Sequence, residues 1–223
     1  MRDIGLFEAI HSARSLRRLK PDPLPERLIT QVLDAAIRAP SGGNAQNWAF
    51  LVVRDAALRH ALGQVYRRAS DIAEKVYAAK GQPPHLTQQQ YRRMMAAGAY
   101  LWEHLGEAPV IVVPCLHRPT VPDTPGVDVA AERAYAERIR GSSIYPAVQN
   151  IILACRALGL GTTMTTNHLR CETEVRALLR LPDDVDSFAL MPIGWPLDPF
   201  GPLSRKPLAQ VVHADRWGNA WPG

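Results

Sequence analysis

The sequence predicts an α+β protein built from one domain. Segments with helical apolar spacing outnumber the segments typical of strands, and the two kinds do not alternate strictly as in a βαβ protein. The chain has 223 residues, of which 47% are hydrophobic and 21% are charged, an ordinary globular composition with room for a sizeable core. We therefore expect a single domain over residues 1–223.

Seven segments have the apolar spacing of helices. The first, residues 3–13, places Phe7 and Ile10 on one apolar face. The second begins after Pro25, which a first helical turn tolerates, and ends before Pro40. The other predicted helices span residues 56–79, 88–105, 128–140, 144–158 and 172–179.

Four short segments are apolar or β-branched and are bounded by turn formers, as strands are. These predicted strands span residues 48–53, 109–116, 162–166 and 188–195. The sequence Gly159-Leu160-Gly161, before the third strand, is typical of a left-handed helix cap. The tail that starts at Gly201 begins as an extended arm.

Charge and hydropathy exclude two classes of partner. The formal net charge is +5 and the isoelectric point is near 9.4, but the basic residues fall in short clusters, such as Arg14–Lys20, without interleaved aromatic residues. A nucleic-acid platform requires such interleaving, so we expect no nucleic-acid partner. Apolar runs such as Phe50–Val53 and Val110–Val113 are far too short to cross a bilayer, so we expect no membrane partner.

The cysteines and the first residues indicate a cytoplasmic protein. Cys115, Cys155 and Cys171 are odd in number, widely spaced and form no CxxC, which favours free thiols in a reducing compartment. The apolar-polar rhythm of the N-terminus is similar to a transit peptide, but Asp3 and Glu8 interrupt it. We therefore expect a cytoplasmic location.

The sequence Arg14-Ser15-Leu16-Arg17 is a candidate phosphate site. It combines two guanidinium groups and a hydroxyl, and forked arginine donors match phosphate oxygens. A solvated basic helix end has the same composition, because arginine also favours the negative end of the helix dipole. The residues alone leave both interpretations open.

Residues 40–46, PSGGNAQ, are a candidate ligand-binding loop. Glycines allow backbone N–H groups to approach a ligand closely, and Ser41, Asn44 and Gln46 supply directed polar groups. The alternative is a helix-to-strand connection made of ordinary turn formers. Arg205-Lys206, between Pro202 and Pro207, is a third candidate, with a solvated tail as its alternative.

Familiar catalytic patterns are absent from the sequence. There is no GxGxxG, GxxxxGK[ST] or GxSxG. The seven histidines are scattered without metal-ligand spacing, so we expect no metal. Groups that grip a ligand without acid-base machinery indicate that a cofactor supplies the chemistry, so we assign no catalytic side chain.

Taken together, these segments resemble the FMN-dependent nitroreductase family. The specific feature is RSxR at residues 14–17 followed at this distance by APSGGNAQNW at residues 39–48. The matching pieces lie at residues 13–55, 107–116, 145–165, 178–196 and 200–218, which is almost the whole chain. The resemblance implies an α+β fold with a mixed, mainly antiparallel sheet wrapped by helices, and an intertwined homodimer with two FMN molecules at its interface.

The resemblance also implies residue roles. One subunit is expected to grip FMN through Arg14, Ser15, Arg17, Arg205 and Lys206, and through Met164, Thr165 and Thr166 near flavin N5. The partner subunit is expected to approach the same flavin through Pro40, Ser41, Gly42 and Asn44.

The reaction implied is a ping-pong transfer. NAD(P)H delivers hydride to flavin N5 and leaves, and a nitroaromatic, quinone or similar small-molecule acceptor then takes the electrons. A cation near flavin N1 stabilises the reduced, anionic ring, a role that suits Arg17. Residues 64–105 fall in a variable region that covers the pocket in the family, and ordinary packing is the alternative for each candidate lining residue. Those candidates are Tyr66, Tyr77, Tyr91, Met94, Met95 and Trp102.

Three other functions compete with this one. The flavin-fragmenting oxygenase that makes the cobalamin lower ligand has a similar APS loop and HxDRWG-like tail, although GGNAQ and GTTMTT are more similar to the reductases. A non-catalytic FMN-binding or sequestering protein predicts bound flavin without turnover of NAD(P)H. A basic RNA-binding module predicts a colourless protein with salt-sensitive affinity for nucleic acid.

Overall fold

The computed structural model describes residues 4–222 and confirms the α+β class. The helices are α1 Leu6–Ser12, α2 Glu26–Ala36, α3 Ala56–Lys80, α4 Gln88–His104, α5 Val129–Ile139, α6 Tyr145–Ala157 and α7 Glu172–Leu179. The strands are β1 Trp48–Val53, β2 Val110–His117, β3 Gly161–Thr162, β4 Val185–Ser187 and β5 Met191–Gly194. Each predicted helix is therefore present within the described residues, with its ends shifted by a few positions; residue 3 of the first prediction lies outside them.

The strands form one sheet in the order β1-β2-β5-β3, and β4 pairs with the far end of β2. The named strand pairs within residues 4–222 are all antiparallel. Strand β2 lies at the centre because it pairs with three other strands. The mainly antiparallel sheet is thereby confirmed.

The fourth predicted strand, residues 188–195, is shorter than expected, since β5 covers only Met191–Gly194. Strand β4, which lies before the predicted range, was not predicted, and a bulge separates it from β5. Cys115 faces Ser187 and Val112 faces Met191, so the β4–β5 side has one more residue than β2 between these two pairs. Pro114 of β2 lies within this interval and has no N–H for the ladder. The pairing therefore stops and resumes, which separates β4 from β5.

The third predicted strand, residues 162–166, is also shorter than expected. Regular pairing ends at Thr162, and an isolated bridge joins Thr165 to Leu190. In this register Thr163 lies opposite Pro192, which cannot donate to the ladder. Regular pairing therefore stops after Thr162, and of residues 163–166 only Thr165 pairs with β-structure again.

Hydrophobic cores cover both faces of the sheet. Alternate β2 residues point to opposite sides, so Val110 and Val112 join one core while Ile111 and Val113 join the other. The first core contains residues of α2 and α6, and the second contains residues of α3, α4 and α7. Helix α3, which supplies Tyr66 to the second core, thus lies across the sheet from α6.

The ends of α6 and α4 follow their sequence signals. Gly159 has φ 72°, and Leu160 N–H donates to the Cys155 carbonyl at 2.7 Å, which closes α6 with a Schellman cap as predicted. Thr87 and Gln90 form a reciprocal capping box at the start of α4. These caps fix the directions from which β3 and the α4 helix approach the site.

The apolar face predicted for the first helix is not buried in the chain. Phe7 is 74% exposed and Ile10 is 39% exposed, whereas Ala9 is buried. Helix α1 is held to α6 by polar contacts instead, since Arg156 Nε donates to Ser12 Oγ at 2.8 Å. The apolar spacing of α1 therefore marks an exposed surface of the single chain.

Candidate functional site

The segment that carries the first arginine motif lies beside the end of β3. Leu16 N–H donates to the Thr162 carbonyl at 3.0 Å, and the Leu16 side chain is only 2% exposed. The residues on either side of Leu16 line different cavities of the protein. Arg14 and Ser15 line one cavity, and Arg17 lines another.

The first cavity, which we call the arginine cleft, has a volume of about 620 Å³. It brings together Arg14, Ser15 and Arg205, as the sequence predicted. Neither arginine forms an ion pair within the part of the chain that the structure describes. The arginine cleft is lined by Ile10, His11, Ala13, Arg14, Ser15, Gln149, Ile152, Thr162, Thr163, Pro202, Leu203 and Arg205. A cleft with two arginines and no acidic lining residue suits an anion.

One polar atom in the arginine cleft has no partner. Thr162 Oγ1 is buried and makes no hydrogen bond within residues 4–222. A buried hydroxyl without a partner costs about 1–3 kcal/mol, so Thr162 is a further candidate contact for a ligand. Its place after the Gly159–Gly161 cap could have indicated this role, but our prediction began two residues later.

The tail places Arg205 but not Lys206 at the arginine cleft. Leu203 N–H donates to the His11 carbonyl at 3.2 Å, which fixes the arm beside α1. Arg205 lines the cleft, whereas Lys206 is exposed and is not one of the lining residues.

The second cavity, which we call the aromatic pocket, has a volume of about 230 Å³. It is lined by Arg17, Tyr66, Tyr77, Met94, Met95, Gly98, Leu101, Trp102, Met164, Thr165, Thr166 and Asn167. Of the side chains considered within residues 64–105, all except Tyr91 line this pocket. Thioether and aromatic groups suit a flat apolar ligand.

Arg17 is the cationic group of the aromatic pocket. Burial lowers the pKa of its guanidinium, Tyr66 and Tyr77 oppose this shift, and Arg14 adds to it. No carboxylate pairs with Arg17 within residues 4–222. A half-buried cation without a counter-ion is suited to a ligand that carries or gains negative charge.

Residues 164–166 all line the aromatic pocket, but they differ in what they can offer a ligand. Thr165 N–H donates to the Leu190 carbonyl at 3.1 Å, and the Thr165 carbonyl accepts from Leu190 N–H at 2.9 Å, so both of its main-chain groups are already used. Met164 and Thr166 N–H groups donate to no other group in the described part of the chain. The backbone contact that we expected here is thus left to Met164 and Thr166.

The loop at residues 40–47 is strained and lies away from both cavities of its own chain. Gly43, Asn44 and Gln46 have φ values of 58°, 54° and 48°, in the left-handed region that costs non-glycine residues energy. Ser41 Oγ accepts from Gln46 N–H at 3.0 Å, and Gly42 N–H donates to Ser143 Oγ at 3.1 Å. Pro40, Ser41, Gly42 and Asn44 line neither cavity.

The described part of the chain has neither a cluster of metal-ligating side chains nor a helix suited to a membrane. Within residues 4–222, no group of three His, Cys, Asp or Glu side chains is placed to hold a metal ion. No helix in the same range has the length and apolar character needed to span a membrane.

The sequence model of the Nitroreductase family matches residues 10–195, which include the first arginine motif, the loop and the sheet. The chain belongs to the Nitroreductase family. It is 31% identical to the NADH dehydrogenase of Thermus thermophilus, covering 89% of this chain and 90% of that protein. It is 28% identical to the 5,6-dimethylbenzimidazole synthase of Rhodospirillum rubrum, covering 91% of each chain.

A solved structure shares the fold of this member of the Nitroreductase family. The crystal structure of oxidized iodotyrosine deiodinase, bound to FMN and 3-iodo-L-tyrosine, superposes with a TM-score of 0.69 at 23% identity. The alignment covers 95% of this chain and 99% of that one. This agreement confirms the nitroreductase-like fold.

Proposed function

We propose that the protein is an FMN-dependent oxidoreductase that passes electrons from NADH or NADPH to a small-molecule acceptor. One observation carries this proposal: residues 14–17 and 162–167 together line an arginine cleft and an aromatic pocket. A ligand with a phosphate at one end and a flat ring at the other matches this pair of cavities. FMN is such a ligand, and a solved neighbour contains it.

The residues of the arginine cleft fit the phosphate end. Arg14 and Arg205 offer forked donors, and Ser15 offers a hydroxyl. The buried Thr162 Oγ1 without a partner supports the presence of a ligand in this cleft. Lys206 is proposed to reach the phosphate only as a flexible neighbour of Arg205, since it does not line the cleft.

The residues of the aromatic pocket fit the ring end. FMN, when bound, supplies the chemistry of accepting hydride from a nicotinamide and passing electrons to an acceptor. Arg17 places a positive charge beside the ring, and Met164, Thr165 and Thr166 form the adjoining wall. Tyr77, Met94 and Met95 limit the space and exclude water, which favours a flat acceptor such as a nitroaromatic or a quinone. The name of the Thermus relative supports a nicotinamide as the electron donor.

We propose that the protein is a homodimer and that the loop at residues 40–44 serves the flavin of the partner subunit. The exposed apolar surface supports a partner, since Phe7 is 74% exposed and Trp217 is 92% exposed. The loop keeps its strained shape through Gln46 and Ser143 although it lines no cavity of its own chain. Strain of this kind is typical of ligand contacts.

Colour and bleaching test the main proposal. Purified protein should be yellow, and its flavin absorbance should fall when NADH or NADPH is added without oxygen. A colourless protein that cannot be reconstituted with FMN would contradict the proposal. Bound FMN that neither nicotinamide reduces would instead favour a sequestering protein.

Mixing two inactive variants tests the role of the partner subunit. Arg14→Ala and Asn44→Ala homodimers should each hold FMN weakly. In each heterodimer one of the two sites combines an intact Arg14 from one chain with an intact Asn44 from the other. Random exchange of equal amounts makes about half of the dimers heterodimers, so about a quarter of the FMN sites in the mixture should recover. If the loop serves its own chain, no recovery is expected, because every site then keeps one substitution.

A second candidate function is flavin fragmentation, which the 28% identity to the Rhodospirillum synthase favours. Incubation of the reduced protein with oxygen separates the two activities. Recovery of intact FMN supports the oxidoreductase, whereas formation of a benzimidazole supports the oxygenase.

A further inference from the structure

A buried pair of hydroxyl groups joins the cover of the aromatic pocket to its wall. Tyr66, on α3, is only 1% exposed, and its hydroxyl lies 2.8 Å from Thr165 Oγ1. Both residues line the pocket. The contact therefore connects the covering helix to the segment that follows β3.

Thr165 can reach a ligand only through its hydroxyl. Both of its main-chain groups are bound to Leu190, at 3.1 and 2.9 Å. A threonine hydroxyl has one donor and two acceptor positions, and Tyr66 occupies one of them. Because threonine is branched at Cβ and has few χ1 states, a single hydrogen bond is enough to select its rotamer.

Tyr66 is held in a form that can keep this bond. Burial raises the pKa of the Tyr66 phenol. The nearby polar side chains of Thr165, Asn167 and Ser70 and the charge of Arg17 only partly oppose this shift. The phenol therefore stays protonated at neutral pH and can donate to Thr165 Oγ1, which leaves the Thr165 O–H free to donate into the pocket. If the bond runs the other way, the free Thr165 lone pairs are the groups presented to the ligand.

We propose that Tyr66 is a positioning residue of the oxidoreductase: its hydroxyl fixes the Thr165 hydroxyl in the wall of the aromatic pocket where the flavin ring and the acceptor bind. The inference rests on the proposed function. It assigns to a covering helix a direct part in ordering the reacting site, beyond the exclusion of water. Helix α3 and the segment after β3 are thus coupled, because the Tyr66–Thr165 hydrogen bond joins them.

The test is Tyr66→Phe, which removes the hydroxyl and keeps the ring. The FMN dissociation constant and the KM for NADH should stay within about twofold of wild type. The kcat with p-benzoquinone should fall by about 10- to 100-fold, because small misplacements in a reacting site cost up to that amount. A crystal structure of the flavin-free variant should show Thr165 in a different or a mixed rotamer.

Two further variants make the test specific. Tyr91→Phe removes a phenol hydroxyl from α4 outside the pocket and should leave kcat unchanged. In a Thr165→Val background, Tyr66→Phe should lower kcat by less than about twofold, since the group that it positions is gone.

The outcomes separate the two proposals. A yellow, active wild type whose Tyr66→Phe variant keeps its kcat and its Thr165 rotamer would overturn this inference alone. A wild type that takes up no FMN would overturn the proposed function and this inference with it. A fall in kcat that is equally large in the Thr165→Val background would also overturn the inference, because Tyr66 would then act without Thr165.

Discussion

The arginine cleft and the aromatic pocket are lined by neighbouring residues of the same two segments, yet they differ in exposure and in chemistry. Arg14 and Arg205 of the cleft are exposed, whereas Arg17 of the pocket is half-buried among aromatic and thioether groups. The buried Leu16 separates them. We propose that the one arginine motif has two tasks: the exposed charges of the cleft bind an anion, and the half-buried cation of the pocket stabilises charge on a ring.

The largest expected effect comes from a substitution that disrupts the arginine cleft and the aromatic pocket together. A Cβ on Gly161 would lie 2.7 Å from Leu19 Cδ2 and 3.1 Å from Pro196 Cβ, within the packing that holds residues 14–17. Gly161→Val should therefore lower the free energy of unfolding by about 1–3 kcal/mol or more and abolish FMN uptake. Urea denaturation and flavin titration measure these changes. The control is Gly5→Ala: a Cβ there meets open space and φ is −69°, so stability and FMN affinity should be unchanged. A Gly161→Val protein that keeps wild-type FMN affinity would show that packing around Gly161 does not support the two cavities.

The next effect separates the two regions. Arg14→Ala should weaken FMN binding by roughly 10- to 100-fold, as expected for the loss of a charge-assisted hydrogen bond. The affinity for riboflavin, which lacks the phosphate, should stay within about twofold. Arg92→Ala, at an exposed position on α4, is the matched control. If Arg14→Ala weakens riboflavin and FMN binding equally, Arg14 does not contact the phosphate.

A third prediction concerns the pH dependence of stability at a residue next to the aromatic pocket; it leaves FMN binding at neutral pH unchanged. His168 follows the pocket-lining residue Asn167, is fully buried, and has Nε2 3.1 Å from Ser187 Oγ. Burial lowers its pKa to about 4, so the folded protein binds fewer protons than the unfolded chain between about pH 6.5 and pH 4. The free energy of unfolding is therefore not reduced by His168 above about pH 6.5, and it decreases as the pH falls from there toward 4.

The measurement is the free energy of unfolding of wild type and His168→Gln as a function of pH. The difference between them should change by about 3 kcal/mol from pH 7 to pH 4. If the free energies of unfolding of the two proteins change with pH in parallel, His168 is not buried in its neutral form.

Much of the site was predictable from local sequence, and the exceptions have physical causes. RSxR and Arg205 were named from the residues themselves, and residues 164–166 from the resemblance to the family; the structure places them in the linings of two cavities. Thr162 was assigned to a strand and missed as a cavity residue because its unpaired hydroxyl is visible only once the sheet is formed. The role of the loop at residues 40–44 stays a prediction, since the loop lines neither cavity of its own chain.

The sequence by itself determined the fold class, the helices, the first two strands and the gripping groups of the site. These features depend on the spacing of neighbouring residues, which sets helical faces, strand alternation and caps. Only the tertiary structure decided where the third and fourth strands stop and which cavity each arginine reaches. Those outcomes depend on contacts between distant segments. Pro114 and Pro192 interrupt ladders formed with other strands, and the segment of Arg14 and Arg17 bonds to β3 through Leu16 and Thr162, where the two arginines line different cavities.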